Sequence, residues 1–89
     1  MEFEWNEAKA ELNARKHDVP FPFATRVFFD VNRLEWADTG SRQGEHRWVA
    51  IGLIDGVEII LAYTMRGEAI RLISARKAER HEREDYWNR

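Results

Sequence analysis

Apolar positions fall into two kinds of spacing along the chain. The first thirty residues repeat at helical intervals, and the middle alternates like strands. Phe3 to Trp5 reads as a short strand or lead-in. Asn6 fits a helix N-cap, because its side-chain oxygen can accept an orphan backbone N–H. Glu7 then stands where the helix dipole favours a negative charge. Ala8, Leu12 and Arg15 follow at helical spacing, which predicts a helix over about 7–16. Pro20 disfavours helical angles at Val19, so this helix should end near His17-Asp18. Pro22 fits the first position of a second helix. Phe23, Ala24, Val27 and Phe28 give that helix one apolar face, and Asp30-Val31-Asn32 should close it.

A short strand is expected over Arg33–Ala37, with Leu34 and Trp36 on one side. Asp38 to Glu45 is polar, carries two glycines and reads as an exposed loop. The strongest local signal follows. Arg47 to Leu53 and Val57 to Thr64 are β-rich and flank Asp55-Gly56, a preferred pair for a two-residue hairpin turn. Val57, Ile59, Leu61 and Tyr63 share one face of the second strand. Met65 to Glu68 makes another turn. Ala69 to Ala75 reads as a third strand, with Arg71 and Ile73 on one face and Ile70, Leu72 and Ser74 on the other. From Ser74 or Ala75 to about Trp87 the chain becomes Ala/Glu/Arg-rich and is expected to be helical, with Ser74 as a cap. Its few apolar residues, Ala75, Ala78, Tyr86 and Trp87, leave it weakly docked, framing a site or covered by a partner. The order predicts an α+β domain over residues 1–89: a small antiparallel β-sheet with N-terminal helices and a C-terminal helix packed on it.

Length and composition narrow the classes. Eighty-nine residues suit one domain, and a chain with 44% hydrophobic residues, 12% of all residues being aromatic, is globular rather than disordered. Without cysteine there is no disulfide scaffold or thiolate metal site. The longest fully apolar run, Ile59 to Tyr63, is far short of the roughly 20 residues that span a bilayer. The acidic start, Met1-Glu2-Phe3-Glu4, lacks the basic opening of a signal peptide, so a cytoplasmic setting is expected. The net charge of −2 argues against indiscriminate nucleic-acid binding. That average hides a gradient: residues 1–38 carry net −3, whereas 64–83 carry six basic and three acidic residues, net +3. Such asymmetry marks either an anion-binding face or a solvated helix of alternating charge.

Most catalytic motifs are missing. His17, His46 and His81 lie in different elements without ligand spacing, so no metal site is expected. No Gly-x-Ser-x-Gly turn and no clustered glycines are present. Arginine chemistry remains. Arg47, Arg66, Arg71 and Arg76 lie on or beside the central strands, where several guanidiniums can grip phosphate and neutralise charge building up at phosphorus. The alternative is that they pair with Glu45, Glu58, Glu68 and Glu82. Lys16-His17 can add a cation and a proton carrier that works near neutral pH; a structural role for a lone loop His is the other reading.

The residues in sequence resemble the BrnT family of bacterial type II toxins. The matching stretches are Phe3-x-Trp5, Lys9, Asn13 and Lys16-His17-x-Val19-x-Phe21, then Glu45-x-Arg47 and Gly52. Tyr63-Thr64-x-Arg66, Arg71-x-Ile73-Ser74-Ala75-Arg76-x-Ala78 and Glu82-Arg83-x-x-Tyr86 complete them. Nearly the whole chain is covered in the family's order. The resemblance implies a RelE-like fold and an RNA-cleaving toxin that arrests translation without a cofactor. It also implies a BrnA-like ribbon-helix-helix antitoxin, two toxins joining two antitoxins, with operator DNA touched only through the antitoxin. Family members commonly carry glycine after the Lys-His pair, where this chain has Asp18; Asp tolerates left-handed angles, so the turn is expected to survive.

A metal-free ribonuclease of this kind needs a base for the ribose 2′-OH, cations for the phosphorane and an acid for the leaving oxygen. Arg47, Arg66, Arg71 and Arg76 are the expected cations, His17 or Glu45 the base, and Lys16 a further cation. Tyr63 could meet a phosphate or stack on a base, or pack in the core. Lys77, Arg80 and Arg83 complete the expected RNA-binding set. Phe3, Trp5, Phe21 and Phe28 are expected in the core. A second class of function is an antitoxin-binding, autoregulatory module with weak or lost nuclease activity, and a third is an interaction protein with no RNA role.

Overall fold

A computed structural model describes residues 1–40 and 46–89. Strand β1 (Glu2–Glu4) leads into helix α1 (Glu7–His17) and helix α2 (Phe21–Ala24), which tightens into a 3-10 segment over Thr25–Phe29. Strands β2 (Leu34–Asp38), β3 (Arg47–Ile54), β4 (Val57–Arg66) and β5 (Ala69–Lys77) follow, and helix α3 (Arg80–Trp87) ends the chain. The five strands form one sheet in the order β1-β5-β4-β3-β2. Four are linked antiparallel neighbours. The first is a correction to the all-antiparallel expectation: β1 joins β5 in parallel, Phe3 opposite Ile70.

Local chemistry explains most boundaries. Asn6 caps α1 by accepting the Lys9 N–H at 3.0 Å. Asp18 ends it in the left-handed region at φ 57°, its N–H returning to the Ala14 carbonyl, so the turn expected of Asp18 survives. Pro20 rather than Asp or Ser stands at the N-cap of α2, and Pro22 is one residue inside the first turn. Asp55 and Gly56 both take positive φ, 49° and 83°, the backbone of a two-residue hairpin turn whose twist matches the strands.

The larger core lies between the sheet and the N-terminal segments. Phe21, Val27 and Phe28 bury against Ala50, Leu61, Tyr63, Leu72 and Ala75, with Phe3 and Trp5 packed on the margin. Close approach of the 3-10 segment to β3 depends on Gly52. A Cβ there would sit 3.0 Å from Val27 Cγ1 and 3.1 Å from the Val27 carbonyl. A smaller cluster, Ile51, Ile60, Ala78 and Tyr86, lies under α3 on the opposite face. Asp30 ties the two layers together: it accepts from the Leu53 N–H and from the Tyr86 hydroxyl.

Two expectations are overturned along β5. The strand runs on to Lys77, and α3 starts only at Arg80 with Glu79 as its cap, so Ser74 is a strand residue and not a cap. Ala75, despite its helix propensity, is held in the sheet opposite Leu61 and fully buried. Helix α1 also buries a different residue from the predicted stripe. Only Asn13 is buried, and Leu12 is 59% exposed.

Candidate functional site

The faces of β5 are set by a bulge. Ala62 pairs with Ser74, but Tyr63 pairs with Leu72, so Ile73 is an extra residue with no partner in the register. Without it, Arg71 would share a face with Ile73 and oppose Ser74. With it, Arg71 pairs with Thr64, Ser74 with Ala62 and Arg76 with Ile60, and all three stand on one side of the sheet. Arg47 joins that side, because it alternates with Val49 and Ile51, which pair with Ala62 and Ile60. Arg66 lies two residues beyond Thr64 on the same side and is exposed. The four candidate arginines therefore share the face opposite the larger core.

Among the described residues, carboxylates hold Arg71 and Arg76. Arg71 Nη1 donates to Glu4 Oε2 at 2.7 Å across the β1–β5 pair. Arg76 donates both terminal nitrogens to Glu82, at 2.7 and 2.8 Å. Glu82 also accepts the Glu79 N–H, closing a capping box, and these contacts fix the start of α3. The Arg76 hydrogen bonds are the main reason the Glu82 carboxyl lies below its ordinary pKa; burial acts the other way. Glu82 was foreseen as an arginine partner, whereas Glu4 was not.

The other sequence-predicted residues divide. Lys16 and His17 end α1 and line a groove of about 530 Å³ between that helix and β5. Leu12, Ile73 and Ser74 line the same groove. Ser74 also borders a smaller cleft of about 110 Å³ with Arg76 and Val49, so the two depressions share a rim. Glu45 lies outside the described residues, as does most of the predicted 38–45 loop. Tyr63 lies on the other side of the sheet from the arginines. It is buried, edge-on to Phe28 at 5.1 Å, with its hydroxyl donating to Glu35. Burial, then the Glu35 bond, pushes its hydroxyl well above the ordinary phenol range. The structure thus favours the core reading of Tyr63 over a surface contact. Lys77 is exposed at the end of β5, opposite Ile59 on the core side of the sheet. Arg80 pairs with Glu84, and Arg83 donates to the Ala78 carbonyl at 2.8 Å.

The residue that sequence reasoning left without a role is Asn13. It sits in a helix too polar to show a face, and its partners are backbone groups of Val19, just past the helix, and of Ala75 on β5. No group of three or more His, Asp or Glu side chains is placed to hold a metal ion among the described residues. A depression of about 370 Å³ at the hairpin end is lined by Arg26 and Asp55, but these two pair with each other at 2.8 Å. No described helix is long and apolar enough to cross a membrane.

What this arrangement offers is a face carrying four guanidiniums, bordered by a groove lined by Lys9, Lys16 and His17. Residues 5–82 match the family model described as the ribonuclease toxin BrnT of type II toxin–antitoxin systems. Among curated proteins none matches the chain at a significant level.

Proposed function

The chain belongs to the BrnT family of ribonuclease toxins of type II toxin–antitoxin systems, and from that premise we propose that it arrests translation by cutting RNA without a metal. The observation that carries the reading is the bulge at Ile73, which turns Arg71 and Arg76 onto the face of Arg47 and Arg66. We read the sheet and its helices as RelE-like.

In this mechanism the ribose 2′-oxygen attacks the adjacent phosphorus and the bond to the 5′-oxygen breaks, leaving a cyclic phosphate and a 5′-hydroxyl. His17 or Glu45 takes the 2′ proton, and a second group returns a proton to the leaving oxygen. Arg47, Arg66, Arg71 and Arg76 bind the phosphates and stabilise the charge that grows on the phosphorane, with Lys16 as a further cation. Arg80 and Arg83 extend the contact along the RNA backbone, whereas Lys77, on the core side of the sheet, stands apart from it. Tyr63 has no part in this scheme, since its ring is enclosed by the core.

The partner in this reading is a BrnA-like ribbon-helix-helix antitoxin, two toxins joining two antitoxins, with operator DNA touched only by the antitoxin. A second reading, an antitoxin-binding module with weak or lost nuclease activity, is favoured by the Arg71–Glu4 and Arg76–Glu82 pairs, which already occupy two of the guanidiniums. Purified protein freed of any partner and incubated with bulk RNA separates the two. Cleavage that persists in EDTA and disappears in the folded Arg71→Ala, Arg76→Ala double variant supports the nuclease. Cleavage lost to EDTA, or unchanged in the double variant, removes the metal-free arginine scheme.

A further inference from the structure

The groove between α1 and β5 has a composition that neither the core nor the arginine face explains. Its aliphatic lining is Leu12, exposed to 59%, and Ile73, the unpaired bulge residue. Its rim is cationic, with Lys9 and Lys16 on the same side of α1 as Leu12. Positions i, i+3 and i+7 stack on one face of a helix, so the three side chains project together. At about 530 Å³ the groove lies within the range of small-ligand sites.

Position decides what fits. Ser74 lines both this groove and the cleft bordered by Arg76, so the groove adjoins the arginine face at that residue. The rim is positive, although the first 38 residues together carry net −3. Charge complementarity therefore calls for an anionic occupant with an apolar, flat part. Single-stranded RNA has both in each nucleotide: a base that lies on aliphatic or aromatic carbon and a phosphate that meets lysine.

We propose that this groove is a nucleotide subsite for single-stranded RNA, next to the phosphate that is cut. The base lies on Leu12 and Ile73, Lys9 and Lys16 hold its phosphate, and the Ser74 hydroxyl meets the ribose or phosphate at the junction with Arg76. Leu12, Lys9, Ile73 and Ser74 thereby become RNA-contacting residues. The proposal rests on the nuclease reading for its substrate, but its test is separate.

The test uses the full chain free of antitoxin and two uncleavable probes. One is a fluorescein-labelled 2′-O-methyl oligoribonucleotide, and the other is the same backbone without bases. Leu12→Ser, which is surface-exposed and changes no charge, should weaken the base-bearing probe at least 5-fold and leave the abasic one within 2-fold. Lys9→Ala should weaken both, and Arg15→Ala, which removes an equal charge outside the groove, should weaken neither more than 2-fold. Leu12 and Ile73 methyl signals should shift when the base-bearing probe binds. Equal affinity of wild type and Leu12→Ser for the base-bearing probe overturns the subsite. So does a Leu12→Ser defect confined to antitoxin binding, which makes the groove a protein surface. Wild-type cleavage of bulk RNA, measured in parallel, reports on the nuclease itself, so the subsite can fail while the nuclease stands, or the reverse.

Discussion

The side-chain amide of Asn13 is bonded to both backbone groups of Ala75. Nδ2 donates to the Ala75 carbonyl at 2.8 Å, and Oδ1 accepts the Ala75 N–H at 3.1 Å. This is the pattern a neighbouring strand would make. It is needed because β1 pairs with β5 only through Ala69–Arg71, leaving the far half of that edge unpaired. Nδ2 also donates to the Val19 carbonyl at 3.0 Å, so one amide ties the end of α1 to the sheet. Replacing Asn13 by Ala strands buried donors and acceptors and should cost about 2–4 kcal/mol. Urea unfolding reads the loss, and hydrogen exchange at the Ala75 amide should rise more than at Leu61. Unchanged protection at Ala75 would refute the clamp.

Asp18 pays a conformational cost that glycine avoids. Its φ of 57° lies in the left-handed region, and its negative charge sits at the C-terminal end of α1. Both work against the fold. Asp18→Gly should therefore raise stability by about 1 kcal/mol, whereas Asp18→Val should lower it. Thermal unfolding of the three proteins at one pH gives the order directly.

Gly52 is required for proximity rather than for an unusual backbone angle. An added Cβ meets Val27 on a side-chain carbon, the carbonyl oxygen and Cα, all within 3.3 Å. Two of these are backbone atoms, which cannot rotate away. Gly52→Ala should cost about 1–3 kcal/mol through overpacking, with the loss seen as a lower denaturant midpoint and an unchanged slope. A neutral substitution would mean that the 3-10 segment shifts freely on β3.

Most of the element order was legible because it depends on local signals. Asn6, Pro20 and Asp55-Gly56 each act within a few residues. The errors share a different cause. The strand character of Ala75 comes from Leu61 and Asn13, both distant in sequence, and they override the helix propensity of the Ala-Arg-Lys-Ala stretch. The faces of β5 were misassigned because nothing in Leu72-Ile73-Ser74 announces a bulge, and one extra residue inverts every later side chain. For the candidate site, the arginines were identified by type, but their common face depends on that bulge. The pairing of Arg71 with Glu4 depends on the parallel placement of β1, which no turn signal reveals.

Stability should fall at both ends of the pH scale for separate reasons. Glu82 is held below its ordinary value of 4.5, chiefly by the Arg76 hydrogen bonds. Its contribution is present above about pH 4.5 and is lost as the pH falls through the depressed value in the fold. Burial, the largest single influence on Asp30, raises its pKa, but Tyr86, the Leu53 and Asn32 N–H groups and Arg89 together outweigh it. Asp30 thus adds to the same acid limb. Tyr86 moves the other way, pushed from 10.0 up to about 12 by burial and then by Asp30. Its contribution is complete below pH 10 and is lost as the pH rises towards 12. Unfolding free energies measured across the range should show a flatter acid limb in Glu82→Gln and a flatter alkaline limb in Tyr86→Phe. Tyr63, also raised, keeps part of the alkaline limb in the latter.

In the proposed nuclease, Glu4 and an RNA phosphate would compete for the Arg71 guanidinium, which donates to Glu4 at 2.7 Å. Arg71 is 27% exposed at its side chain and Glu4 37%, so the pair is open to solvent and contributes little to stability. It instead places a carboxylate directly against the Arg71 guanidinium, the group proposed to meet a phosphate. If Arg71 binds RNA, Glu4→Gln removes a competitor and a repulsive charge, and affinity for an uncleavable 2′-O-methyl oligonucleotide should rise about 3-fold or more with no loss of folding. Arg71→Ala should lower it and reduce the slope of log affinity against log salt by about 0.7, the value for one phosphate contact on a single strand. The two variants therefore move in opposite directions only if Arg71 meets phosphate. If Arg71 serves the fold alone, Glu4→Gln and Arg71→Ala both lower stability slightly, and the affinity and salt slope stay at their wild-type values.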